Sequence, residues 1–199
     1  MATKGSTMAR NPETQAVFFE LDGVVLQRPR LSSDGQLAYY DGALAALARI
    51  NPVQFHVFVA TNREDIAFGK LSDREFRKVC DRFVKDAEQS GIRIAKIYSC
   101  PYHPKGRAKY RKESVFRKPA PGMFKIAQQE FDLNLNRCWM IGHTTVDILA
   151  ASRAGMGTIL VATGQGGKDR KFHVEPHFEA PDIRSAVTCI RSFEESQRV

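Results

Sequence analysis

The chain has 199 residues, 43% hydrophobic and 26% charged, a balance that fits one ordinary core and requires no second domain. Its net charge of +8 and pI near 9.5 suit an anionic partner, which a phosphorylated small molecule or a nucleic acid would satisfy equally. The four cysteines, Cys80, Cys100, Cys138 and Cys189, are scattered, which argues against a disulfide-stapled domain and fits a reducing cytoplasm.

The start, residues 1–15, is polar and carries Gly5 and Pro12, so it reads as a flexible arm ahead of a single domain over 16–199. It has no apolar h-region, and neither a signal peptide nor a membrane span is expected. The first strand is expected at Val17 to Leu21. It runs into Glu20, Asp22 and Gly23, and residues two apart on a strand project to one face. Paired carboxylates at a strand's C-terminal end, beside a glycine turn, suggest metal-assisted phosphoryl transfer.

Asp41 can cap a helix carrying Leu44, Leu47 and Ile50. A second apolar strand, Phe55 to Ala60, ends in Thr61 and Asn62, whose hydroxyl and amide can donate to phosphate oxygens. Phe76, Val79, Cys80, Phe83 and Ala87 recur at helical spacing across Ser72 to Gln89. A strand from Ile92 to Tyr98 leads into Cys100, His103 and the basic run Lys105 to Lys112, which contains one aromatic and no nucleic-acid motif, so a nucleic-acid partner is not expected. Arg117 and Lys118 precede Pro121, which lies where a first helical turn tolerates it.

Further strands are expected at Cys138 to Ile141 and Thr158 to Val161. Between them Thr144 or Thr145 begins a helix that stops at Gly155, and a last helix starts near Ile183. Gly164-Gln165-Gly166-Gly167-Lys168 has the look of a phosphate cradle but not Walker spacing, and it reads as a mobile loop after the last strand. Strands alternating with helices imply an α/β fold, a Rossmann-like three-layer sandwich around a mostly parallel sheet.

Taken together, Glu20-Leu21-Asp22-Gly23, Thr61-Asn62, Arg117-Lys118-Pro119 and Gly142-His143 with Asp147 resemble the four motifs of the haloacid-dehalogenase-like (HAD-like) phosphatases. The Cys100-Pro101-Tyr102-His103-Pro104 loop narrows the resemblance to the subgroup of heptose-bisphosphate and histidinol-phosphate phosphatases. The resemblance implies a HAD-like fold without a large cap domain. It implies catalytic roles for Glu20, Asp22 and Lys118, phosphate or substrate binding by Thr61, Asn62, Arg117 and Lys118, and Mg²⁺ held by Glu20, Asp22, His143 and Asp147.

Four departures bear on activity. Glu20 stands where the family's attacking Asp stands, and His143 replaces a carboxylate ligand of Mg²⁺, which weakens a site for a hard cation. Ser114 and Phe116 replace the two cysteines that would complete a zinc shell with Cys100 and His103, so zinc is not expected and Phe116 is expected to fill its space. Arg63, Glu64, Asp65 and Phe68 replace the subgroup's Gln, Ser, Gly and Arg, and an acidic pair facing a phosphosugar would repel it. Two functions remain open: a degenerate phosphatase that binds phosphate esters or acts as a regulatory protein, and a working hydrolase that uses Glu20.

Overall fold

A computed structural model describes residues 14–197; the expected arm therefore lies almost wholly outside the described residues. The first strand, β1 (Gln15–Phe19), begins within the segment read as arm and ends before Glu20, so both carboxylates sit just past the strand. All five of its residues are buried because both faces of the sheet are covered. Val17 and Phe19 join one core and Ala16 and Phe18 the other, the period-2 alternation of a strand.

After β1 come a hairpin, β2 (Leu26–Leu31) and β3 (Leu37–Tyr39), and a short helix, α1 (Ala43–Leu47). The sequence reading missed the hairpin, since its strands lie mostly outside the core and alternate poorly. Gly42 rather than Asp41 caps α1, and the helix ends before Ile50. Nothing larger intervenes before β4 (Phe55–Asn62), and among the described residues no large cap is inserted there. Two helices follow, α2 (Glu64–Ala67) and α3 (Asp73–Gln89). Ser72 and Glu75 form a reciprocal capping box on α3, which satisfies two orphan N–H groups.

The remaining elements are β5 (Ile94–Cys100), α4 (Gly122–Phe131), β6 (Trp139–Gly142), α5 (Thr145–Arg153), β7 (Gly157–Val161), β8 (Phe178–Ala180) and α6 (Ile183–Ser196). The sequence reading missed β8, a three-residue edge strand with two exposed positions. The strands lie in the order β5-β4-β1-β6-β7-β8, and every pairing is parallel. From β1 the chain builds outward through β4 to β5, then returns to the other side of β1 for β6. That reversal opens a crevice at the C-terminal ends of β1, β4 and β6, where open α/β sheets bind ligands.

Helices α1, α3 and α6 pack with Val17 and Phe19, while α4 and α5 pack with Ala16 and Phe18. Phe18 is fully buried, stacked on Phe58 at 4.9 Å and edge-on to Phe124 at 5.2 Å between ring centroids. Phe18→Ala should therefore lower unfolding free energy by about 3–5 kcal/mol in a urea titration. A loss below about 1 kcal/mol would mean that this face of the sheet is not the packed core described.

Candidate active site

Lys118 is the buried centre of the cleft. Its ammonium donates to Glu20 Oε2 at 2.6 Å, to Asp147 Oδ1 at 2.5 Å and to the Ala60 carbonyl at 2.7 Å, which uses all three of its donors. Lys118 and Asp147 are 1% and 2% exposed, so neither charge could persist there alone. Burial would lower the Lys118 pKa, but Asp147 and Glu20 hold it above its ordinary value. Burial would likewise raise the Asp147 carboxyl, but Lys118 first, then His143 and Thr144, pull it below 3.8.

Each partner is positioned by local structure. Glu20 follows the end of β1, where its N–H donates to Ile141 O at 3.0 Å and its Oε1 accepts from the Leu21 N–H at 2.9 Å. Asp147 is the third residue of α5, in a capping box with Thr144. Its Oδ2 accepts from the N–H groups of His143 and Thr144 and from the Thr144 hydroxyl. Thr144 is thus the cap of the two candidates, and Asp147 both closes the helix start and faces the lysine.

Asn62 differs from its expected role. Its amide accepts from the Lys118 N–H and donates to the Lys118 carbonyl, both at 3.0 Å, and so clamps the lysine's backbone. The Thr61 hydroxyl is fully buried and has no protein partner.

Asp22 turns toward Arg63, whose Nη1 lies 2.6 Å from Asp22 Oδ2. Arg63 is 4% exposed, is gripped through Nε and Nη2 by Asp65, and lies over the Phe76 ring at 5.0 Å. Burial raises the Asp22 carboxyl to about 7 against the pull of Arg63, and Glu20 adds to the rise. The other carboxylate oxygen, Oδ1, is buried without a protein partner. The acidic pair expected to repel substrate is therefore neutralised within the chain, since Glu64 pairs with Arg117 at 2.8 Å. That contact engages Nη2 of the arginine expected to grip substrate, while its Nη1 is buried without a protein partner.

The sequence placed Arg63 in the loop but gave no signal that it reaches Asp22, because that contact joins the ends of two strands 41 positions apart in the numbering.

The Cys100 loop is organised by hydrogen bonds. Cys100 is buried in β5, and its carbonyl accepts from the Arg63 N–H. His103 Nδ1 accepts from the Lys105 N–H at 3.0 Å, and its ring packs on Phe68 at 4.9 Å. Phe116 is 40% exposed and does not plug a zinc-sized space, because Ser114 and the turn around it hold this segment at the surface.

His143 lies beside the Asp22-Gly23 turn, and its Nδ1 accepts from the Gln165 N–H at 2.9 Å. Magnesium prefers hard oxygen donors in octahedral array. Among the described residues, no three His, Cys, Asp or Glu side chains converge as a metal shell would. With an imidazole at position 143 and Asp22 tied to a guanidinium, the donor set is poorer in free carboxylate oxygen than Mg²⁺ prefers.

A parallel sheet whose central strand ends in paired carboxylates, closed by a buried lysine and a helix-capping acid, defines the HAD-like class of phosphoryl-transfer fold. Residues 115–186 match the HAD-hydrolase-like family model. The chain is 31% identical over 153 residues to the D-glycero-beta-D-manno-heptose-1,7-bisphosphate 7-phosphatase of Vibrio cholerae, covering 75% of this chain and 82% of the relative. It is 33% identical over 156 residues to the D-glycero-alpha-D-manno-heptose-1,7-bisphosphate 7-phosphatase of Burkholderia mallei, with 75% and 80% covered. The structure of D,D-heptose 1,7-bisphosphate phosphatase from B. bronchiseptica, complexed with magnesium and phosphate, superposes with a TM-score of 0.77. That match has 24% identity and covers 90% of this chain and 99% of that one. The chain belongs to the HAD-like hydrolases and is a homologue of the heptose-bisphosphate phosphatases within them.

Lys118→Met should cost about 3–5 kcal/mol of stability at neutral pH, because Glu20 and Asp147 would then be buried together without a counterion. In the wild type, Asp147's contribution is present above its ordinary value of 3.8 and is lost as pH falls below it. In the variant the sign reverses, so the deficit should shrink on acidification as the carboxylates take up protons. Urea titrations of both proteins at pH 7 and pH 5 check this, and a deficit independent of pH would contradict the buried ion triad.

Proposed function

We propose that the chain binds phosphate monoesters in the cleft of the HAD-like phosphatases and carries out their Mg²⁺-dependent hydrolysis weakly or not at all. The observation that carries this reading is His143. It stands where the family motif has a metal-ligating acid, and its Nδ1 already accepts the Gln165 N–H. Any Mg²⁺ affinity is then well below that of a carboxylate-lined site.

Glu20 adds to the effect. It is one methylene longer than the attacking Asp, so in a rigid strand-end site its oxygen overshoots by about 1 Å, which can cost roughly a hundredfold in rate. The retained Thr61 hydroxyl suits a phosphate oxygen, and Lys118 offsets the charge of the two carboxylates beside it. The ligand is a phosphorylated small molecule, and heptose is not carried over because Arg63, Glu64, Asp65 and Phe68 alter the loop that would grip it. On this reading residues 16–199 act as one cytoplasmic domain without zinc, and among the described residues no helix is long and apolar enough to cross a membrane.

A second reading, a working hydrolase in which Glu20 attacks phosphorus, draws support from two observations. Lys118 still holds Glu20 at 2.6 Å, and Asp22 is raised to about 7, where it could protonate a leaving oxygen.

Phosphate release from a panel of phosphosugars separates the two. The wild type should turn over far more slowly than about 1 s⁻¹, an ordinary enzyme rate. Glu20→Asp together with His143→Asp should raise Mg²⁺-dependent hydrolysis of a generic phosphate ester above either single change, because both build one metal site. A wild type that reaches such rates, and is slowed by Glu20→Asp, would establish the second reading instead.

Protein purified without added metal should contain far less than one zinc per chain by elemental analysis, since Ser114 and Phe116 supply no thiolate. Stoichiometric zinc lost on Cys100→Ser would show that two further ligands complete the shell.

A further inference from the structure

We infer that residues 163–172 form a lid over the cleft, latched shut by Asp169 on the start of α5, and that a phosphate ester enters and leaves when this latch opens. This rests on the phosphate-binding reading above and adds to it how the ligand reaches the site.

The first observation is that the groups a ligand would meet are closed to solvent. The Thr61 hydroxyl and Asp22 Oδ1 are buried without a protein partner, and Glu20 is 6% exposed. A phosphate oxygen reaches them only if a neighbouring segment moves. The β2–β3 hairpin is anchored in the core by Leu26, Leu37 and Tyr39, and the Cys100 loop by Tyr110. No residue from 162 to 177 belongs to either core or is among the hydrophobic side chains packed on it. The segment that follows β7 is therefore held by polar bonds, and it opens at the lowest cost in apolar contact.

The second observation is where this segment lies. The Thr163 hydroxyl donates to Gly23 O at 2.7 Å, and the Gly164 N–H donates to the Tyr40 hydroxyl at 3.1 Å. A Cβ on Gly164 would sit 2.7 Å from the Gly23 Cα, and its φ of 62° is left-handed, so only glycine lets the chain rest on the turn after Asp22. The N–H groups of Gln165 and Gly167 donate to Nδ1 and the carbonyl of His143, both at 2.9 Å. At the far end Lys171 is within electrostatic reach of Glu64 and His103, beside Arg117. One end thus rests on the β1 side of the cleft and the other faces the loop after β4, so the segment crosses the mouth.

The third observation is the latch. Asp169 is the one acid between positions 163 and 172. Its Oδ1 accepts from the Thr145 N–H at 2.8 Å and its Oδ2 from the Thr145 hydroxyl at 2.6 Å, and that hydroxyl accepts from the Phe172 N–H at 3.2 Å. Thr145 is the first residue of α5, where an N–H has no partner within the helix and a negative charge is favoured by the helix dipole. Between the two anchored residues Arg170 holds a left-handed backbone, φ 45°, which a side chain disfavours. Opening gives up the latch bonds but releases that strain, so the closed form is favoured without being permanent.

The test begins with amide hydrogen exchange on the full chain. In the wild type the N–H groups of Thr145, Gln165, Gly167 and Phe172 should exchange faster than those of β1. Asp169→Ala should speed them by about tenfold, the scale of one hydrogen bond to a charged group, and leave β1 unchanged. Asp169→Asn keeps an acceptor oxygen and should fall between the two. Exchange at these sites that Asp169→Ala does not speed, or speeds only together with β1, would overturn the latch.

The lid's role is read from phosphorus-31 NMR line shapes of glucose 6-phosphate with excess Mg²⁺. Asp169→Ala should raise the association and dissociation rates together, each about tenfold, with Kd within about threefold of the wild type, because opening lies on the path in both directions. A loosened lid with unchanged ester rates would overturn the gating and leave the phosphate site standing. Absence of ester binding in both proteins would overturn the phosphate-binding reading, and the lid's role with it.

Discussion

The Lys118 ammonium, buried between Glu20 and Asp147, is the interaction on which the rest of the cleft depends. Three strands converge on it: β1 delivers Glu20, β4 delivers the Ala60 carbonyl and the Asn62 clamp, and β6 leads into the helix that carries Asp147. In so dry a position each charge is tolerable only because the other two are there. The triad therefore fixes the relative position of three strand ends, and the ligand cleft inherits its geometry from that constraint.

Around the triad, charges expected to face substrate or metal are paired within the chain. Asp22 leans on Arg63, Arg63 on Asp65, and Arg117 on Glu64. Each pairing follows from one residue that departs from the family motif, and the changes support one another. An arginine after Thr61-Asn62 would be an unpaired buried cation without Asp22 and Asp65. The imidazole at position 143 likewise has a loop shaped to hold it, with two glycines where any side chain would collide.

Much of the fold was legible in the sequence. The apolar runs of β1, β4, β6 and β7 are buried on both faces, so their β-branched and aromatic residues announce them, and the stripe of α3 is unbroken. The hairpin β2–β3 and the edge strand β8 were not legible, because each is short and mostly exposed and lacks the apolar alternation that marks a strand. Boundaries moved by about two residues where a strand ran into polar groups, as at Thr61 and Asn62, which belong to β4.

At the site, the sequence by itself determined the residue types and their order: paired acids after a strand, a hydroxyl and an amide after another, a lysine before a proline, and a histidine ahead of a helix start. That is enough to specify a phosphoryl-transfer cleft, since those groups sit at strand ends and a parallel sheet brings strand ends together. Only the tertiary structure decided how they pair. Whether Asp22 meets Arg63, whether Glu64 faces a ligand or Arg117, and which N–H the His143 ring accepts all depend on contacts between segments apart in the chain. Hydrogen bonds and ion pairs act over a few ångströms of space, and no spacing along the sequence encodes them.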